Sequence, residues 1–250
     1  MKVLFLGDTH AVPQAAQLAI KKASHQGCDI VVQLGDFAYT GEHYTLFIKK
    51  TQAALERADL TLWWIDGNHE CFSTLDETPV NNDLLSSQYP YGLRSQTSRI
   101  HNIPRGHRWE WDGVTFLACG GAYSIDKAYR YPYESWWPQE TITDADVERC
   151  IAGGPADVML THDVPWGVQH PYGPRTGGGN KDMWPASAEN RKRLRIIVDA
   201  VRPNYLYHGH CHHRNSEALL LDGGHVVEIE GLDRDGASDD RNILVVDFPR

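Results

Sequence analysis

Short clusters of metal-ligating residues recur along this 250-residue chain, each directly after an apolar run. Val3–Leu6 leads into Asp8-Thr9-His10, Ile30–Leu34 into Gly35-Asp36, and Leu60–Ile65 into Gly67-Asn68-His69-Glu70. Val158–Leu160 leads into Thr161-His162, and Tyr205–Tyr207 into Gly209-His210-Cys211-His212. Apolar runs this short read as strands. Side chains at the ends of successive strands converge on one rim of a sheet, where open α/β sheets bind ligands. Asp8, His10, Asp36, Asn68, His162, His210 and His212 offer enough nitrogen and oxygen donors for two metal ions. His69 is left as an acid–base group. The combination points to two-metal hydrolysis.

Between these strands the pattern turns helical. Pro13–His25 carries Ala16, Ala19, Ile20 and Ala23 on one face and begins with a proline suited to a first turn. Residues 42–58 read as a second crossover helix, which makes a βαβαβ opening. Residues 71–112 look irregular, and 123–140 form an aromatic insert with Tyr123, Tyr129, Tyr131, Tyr133, Trp136 and Trp137. Thr143 reads as the N-cap of a helix over 143–150. Residues 165–186 read as a long Gly-rich loop, and 187–201 as a helix with a solvated basic face at Arg191, Lys192, Arg193 and Arg195. Three antiparallel strands are expected over 218–221, 225–229 and 243–248. One α/β domain over 1–250 is the expected organisation.

Net charge is −9, which disfavours broad nucleic-acid or anionic-membrane binding. Bound divalent cations would still invert the potential locally. Five cysteines make an odd number without a CxxC pair, so no disulfide framework is expected. The N-terminal apolar run is too short for a secretory h-region, and no run approaches a membrane span. A soluble, cytoplasmic protein is the expectation.

Asp8 and His10, two residues apart, project to one side of an extended segment and suit one metal. Asp36 can bridge two cations through its two oxygens. Asn68 adds a neutral oxygen. His162 and His210 can complete the second metal and His212 the first. The mixed oxygen–imidazole set suits two divalent ions, manganese foremost and Fe, Zn, Ni or Co as alternatives, over calcium. His69 can protonate a leaving alcohol.

The ordered series Asp-x-His, Gly-Asp, Gly-Asn-His-Glu, His and Gly-His-x-His, spanning residues 7–213, resembles that of the calcineurin-like metallophosphoesterases. The resemblance implies a four-layer α-β-β-α sandwich of two mixed sheets flanked by helices. It implies one metal on Asp8, His10, Asp36 and His212, and another on Asp36, Asn68, His162 and His210. His69 matches the acid–base histidine. The implied activity is phosphate-ester hydrolysis by a metal-bridging hydroxide. The aromatic insert favours a phosphodiester of a nucleotide or other small molecule. The alternatives are phosphomonoesterase or protein-phosphatase activity, or a metal-binding scaffold without catalysis. Sequence alone leaves the oligomeric state open.

Further substrate contacts are placed on Tyr123, Arg130, Arg175 and His213, with the aromatic insert as a stacking platform and 165–186 as a lid. The competing readings are a buried aromatic loop, exposed arginines and a surface excursion. His208 reads as a core residue. A zinc site confined to residues 208–213 is disfavoured, because one short segment wraps a tetrahedral ion poorly.

Overall fold

A computed structural model describes residues 1–37, 44–78, 80–81, 93–169 and 184–248. The chain opens with β1 (Lys2–Leu6), α1 (Pro13–His25), β2 (Ile30–Gln33), α2 (Tyr44–Ala58) and β3 (Leu62–Ile65). All three strands run parallel. Parallel strands need crossover connections, and the two helices supply them. The strands are apolar runs because both sheet faces are covered.

The side-chain alternation of each strand then divides the core. Val3 and Phe5 of β1 point between the two sheets, while Leu4 and Leu6 point under the helices. Ala16, Ala19, Ile20 and Ala23 of α1 close over that outer face, as their spacing predicts.

The described residues between 71 and 112 are more ordered than the sequence implies. They contain α3 (Phe72–Glu77), β4 (Val80–Asn81), β5 (Leu93–Ser95), β6 (Ile100–Ile103) and β7 (Arg108–Trp111). These elements have only two to six residues and, unlike the equally short β2 and β3, form no continuous apolar run. Next come β8 (Val114–Cys119), α4 (Asp144–Ala152), β9 (Val158–Thr161), α5 (Trp184–Val201), β10 (Tyr205–His208), β11 (Asn215–Leu220), β12 (Val226–Gly231), α6 (Asp239–Asn242) and β13 (Ile243–Asp247).

The strands form a seven-stranded sheet, β13-β1-β2-β3-β6-β5-β4, and a six-stranded sheet, β11-β12-β10-β9-β8-β7. Each is mixed. β13 joins β1 antiparallel, whereas β9 and β10 run parallel. β11 and β12 pair antiparallel as expected, but β13 crosses to the other sheet. The sheets face each other across Phe5, Val32, Ile65, Phe116, Leu160 and Tyr207, with Phe5 stacked on Tyr207 at 4.3 Å. Helices α4 and α5 cover the outer face of the second sheet. The result is the four-layer sandwich that the motif series implies.

Thr143 caps α4 reciprocally with Asp146, as its position predicts. Helix α5 begins at Trp184, inside the stretch expected to be loop. Its basic face is not wholly solvated either. Arg191 is buried and donates to the carbonyls of Val164, Pro165 and Val168. A basic run therefore hides one arginine that organises the chain after His162. Residues 170–183, including Arg175 and most of the expected lid, lie outside the described residues.

Candidate metal centre

Parallel β1, β2 and β3 deliver their C-terminal ends to one rim, and parallel β9 and β10 do the same for the other sheet. The two rims meet at His162, whose Nδ1 lies 2.7 Å from the Leu34 carbonyl. The adjoining turns are unusually strained. His10, Asp36, His210 and His212 adopt positive φ angles of 42°, 52°, 59° and 45°. Such backbone is costly for residues bearing a Cβ and concentrates where function requires it. Gly67 and Gly209 leave the room for these side chains. A Cβ at Gly67 would overlap Asp36 Oδ1, and one at Gly209 would overlap Asp8 Oδ1.

Two groups of candidate donors result. Asp8, His10, Asp36 and His212 bring their donor atoms within 4.8 Å of one another, and Asp36, His162 and His210 do the same. Asp36 belongs to both. Its Oδ2 lies 3.4 Å from His10 Nε2, and its Oδ1 lies 3.2 Å from His162 Nε2. Asn68 Oδ1 is 3.3 Å from His162 Nε2. His69 belongs to neither group, with its Nε2 3.9 Å from Asp36 Oδ2.

These donors suit cations. Two ligand atoms each ~2.1 Å from one ion and at right angles lie about 3 Å apart. The observed His212 Nε2–Asp8 Oδ2 separation is 3.1 Å, yet the buried Asp8 Oδ2 makes no hydrogen bond among the described residues. An unsatisfied buried oxygen is costly, and a cation would satisfy it. The titration behaviour agrees. Burial opposes charge on His10, but the carboxylates of Asp235, Asp36 and Asp8 prevail and raise its pKa to about 10. Burial likewise opposes charge on His162, and Asp36 and Asp8 raise it to about 10. Burial disfavours charge on Asp36, yet His162, His69 and His10 hold it well below the carboxylate range. The pocket therefore selects positive charge at these positions.

A supporting layer surrounds the donors. Asp235 Oδ1 holds His10 Nδ1 at 2.7 Å. Asn68 Nδ2 donates to Ser124 Oγ at 3.1 Å, and Ser124 Oγ in turn donates to Glu140 Oε2 at 2.6 Å. That chain turns the Asn68 carbonyl oxygen toward His162. Glu70 Oε1 accepts from the amides of Phe37 and Gly67, tying the β2 and β3 turns together. Asp235, Ser124 and Glu140 escape sequence reasoning because no local spacing links them to the motifs. Glu140 is 72 positions from Asn68, whose amide it orients through Ser124.

The expected substrate contacts divide. Arg130 reaches His69, with its Nη2 2.6 Å from Nε2 and 3.0 Å from Nδ1, and Asp126 anchors its Nε at 2.9 Å. Burial lowers the His69 pKa, and Arg130 adds to the effect while Asp36 opposes it. Tyr123 is half-buried beside Lys127, and His213 is exposed outside both donor groups. The aromatic insert is mixed. Trp137 is buried in the core and donates to Ser73, whereas Tyr129, Tyr131 and Tyr133 are exposed. His208 packs in the core, and burial pushes its pKa down to about 4.

A four-layer sandwich with carboxylate–histidine clusters at its strand ends has the form of a metal-dependent phosphoesterase. The chain belongs to the calcineurin-like phosphoesterase family, whose model matches residues 1–226. The fold is shared with TT1561 of Thermus thermophilus, which is 14% identical, with a TM-score of 0.52 over 98% of this chain and 97% of that one. A dimetal phosphatase from Danio rerio is 10% identical, with a TM-score of 0.53 over 94% of this chain and 87% of that one. No curated protein matches the chain.

Proposed function

We propose that this protein is a dinuclear phosphoesterase acting on a phosphodiester of a nucleotide or other small molecule. Asp8, His10, Asp36 and His212 hold one divalent ion, and Asp36, Asn68, His162 and His210 hold the other, with manganese the foremost candidate. The observation that carries the reading is the division of Asp36, whose Oδ2 faces His10 and whose Oδ1 faces His162. One carboxylate thus serves both groups. When bound, the two cations would acidify water and neutralise charge on the phosphoryl oxygens. The dimetal phosphatase from Danio rerio, which shares the fold, fits this reading.

His69 supplies acid–base chemistry. It stands next to Asn68 in the chain, is half-buried, and lies 3.9 Å from the shared carboxylate without joining either donor group. In its imidazolium form it can pass a proton to a leaving oxygen and then recover one from solvent, and burial, which favours the neutral form, makes the imidazolium the stronger acid. Arg130, whose Nη2 lies 2.6 Å from His69 Nε2, would bind a phosphoryl oxygen. Residues 1–250 form one domain in this account. The lean toward diesters rests on the aromatic insert at the rim.

The experiment is hydrolysis of bis-p-nitrophenyl phosphate and p-nitrophenyl phosphate by the metal-stripped chain supplied with Mn, Fe, Ni, Co or Zn. Diester cleavage without monoester cleavage is expected. Failure to hydrolyse either with every metal would refute the enzymatic reading.

A further inference from the structure

Beside the metal centre lies a cavity of about 480 Å³ lined by His212, Asp233, Arg234, Asp235, Ser238 and Arg241. Its acidic side chains have partners. Asp233 Oδ2 pairs with Arg241 at 2.7 Å, and Asp235 Oδ1 with His10 at 2.7 Å. Arg234 differs. It is exposed, and its guanidinium makes no ion pair or hydrogen bond among the described residues.

The main chain holds Arg234 firmly in this place. It forms a β-bridge with Asp8, and its amide donates to Asp233 Oδ1 at 2.9 Å. The next amide, of Asp235, donates to the Asp8 carbonyl at 2.8 Å. The backbone that carries this unpaired guanidinium is thus fixed one residue from the carboxylate that supports His10. It shares a cavity with His212, at the edge of the Asp8–Asp36 donor group.

We propose that this cavity is a second anion subsite, in which Arg234 binds a further phosphate carried by the substrate. The preferred substrates are then phosphoesters bearing a second phosphate. The inference rests on the reading above, in which cations held by Asp8 and Asp36 would bind the reacting phosphoryl group. The guanidinium fork matches phosphate oxygens two at a time. Asp233 and Asp235 each have another partner, so Arg234 forms a direct ion pair with neither. Ordering the guanidinium on phosphate breaks no existing ion pair.

The test uses the full manganese-loaded chain and two substrates that differ by one phosphate. These are thymidine 5′-(p-nitrophenyl phosphate) with and without a 3′-phosphate. The bisphosphorylated substrate is expected to show about tenfold higher kcat/KM, mainly through KM. Arg234→Ala brings that ratio close to one, and Arg234→Lys retains part of it. Calorimetric binding of thymidine 3′,5′-bisphosphate against thymidine 5′-monophosphate loses its difference in parallel. Hydrolysis without any preference in the wild type, or a preference that survives Arg234→Ala, overturns the subsite and leaves the phosphoesterase reading standing. A binding preference that depends on Arg234 in a protein hydrolysing neither substrate upholds the subsite and overturns that reading instead.

Discussion

Asp235 Oδ1 lies 2.7 Å from Nδ1 of His10, joining residues 225 positions apart. The contact fixes the imidazole so that its Nε2 faces Asp36 Oδ2. Carboxylates in this position orient metal-binding histidines, and their loss weakens metal binding or activity by about 10–100-fold. Asp235→Ala is therefore expected to lower manganese affinity by at least about tenfold. Calorimetric titration of the metal-free protein measures this, and an unchanged affinity would remove Asp235 from the account.

Ser124 does for Asn68 what Asp235 does for His10. Its hydroxyl accepts from Asn68 Nδ2 and donates to Glu140. Without it the amide is free to turn its nitrogen toward His162. Ser124→Ala is expected to weaken one manganese site about tenfold while leaving the other near its wild-type affinity. Two equally weakened sites would contradict the assignment of Asn68 to one of them.

Glu140 gives a pH-dependent stability. Burial pushes its carboxyl up from 4.5 to about 7, against the opposing hydrogen bonds from Ser124. The native state thus holds a proton that the unfolded chain has already released. The contribution is fully present below pH 4.5 and is lost as pH rises through about 7. Thermal melts between about pH 5 and 8 should show the wild type losing about 3 kcal/mol relative to Glu140→Gln. Parallel curves for the two proteins would refute this.

His69→Ala is expected to keep its metal and lose turnover, by about 10²–10⁴-fold for a general acid–base group. Elemental analysis alongside a diester assay separates the two effects. Loss of metal would place His69 among the ligands.

The convergence of the candidate donors was legible in the sequence because each motif closes a strand whose apolar run is itself visible. Asp8 after β1, Asp36 after β2 and His162 after β9 converge because their strands run parallel to their neighbours. The supporting residues were hidden for a physical reason. Asp235 and Glu140 reach their targets only through tertiary folding, from segments that read as an acidic connector and the end of an aromatic insert. The same cause concealed Arg191, whose neighbours Lys192 and Arg193 are solvent-facing while it is buried against the 164–168 carbonyls. The short strands β4 to β7 were unreadable because, unlike the equally short β2 and β3, they mix polar and apolar residues and form no apolar run.

The most direct test of the account is a titration of the metal-free protein with manganese while bis-p-nitrophenyl phosphate hydrolysis is followed. If Asp36 joins two ligand groups, activity rises from none and saturates at two equivalents per chain. Saturation at one equivalent, or no hydrolysis at any manganese concentration, would contradict it.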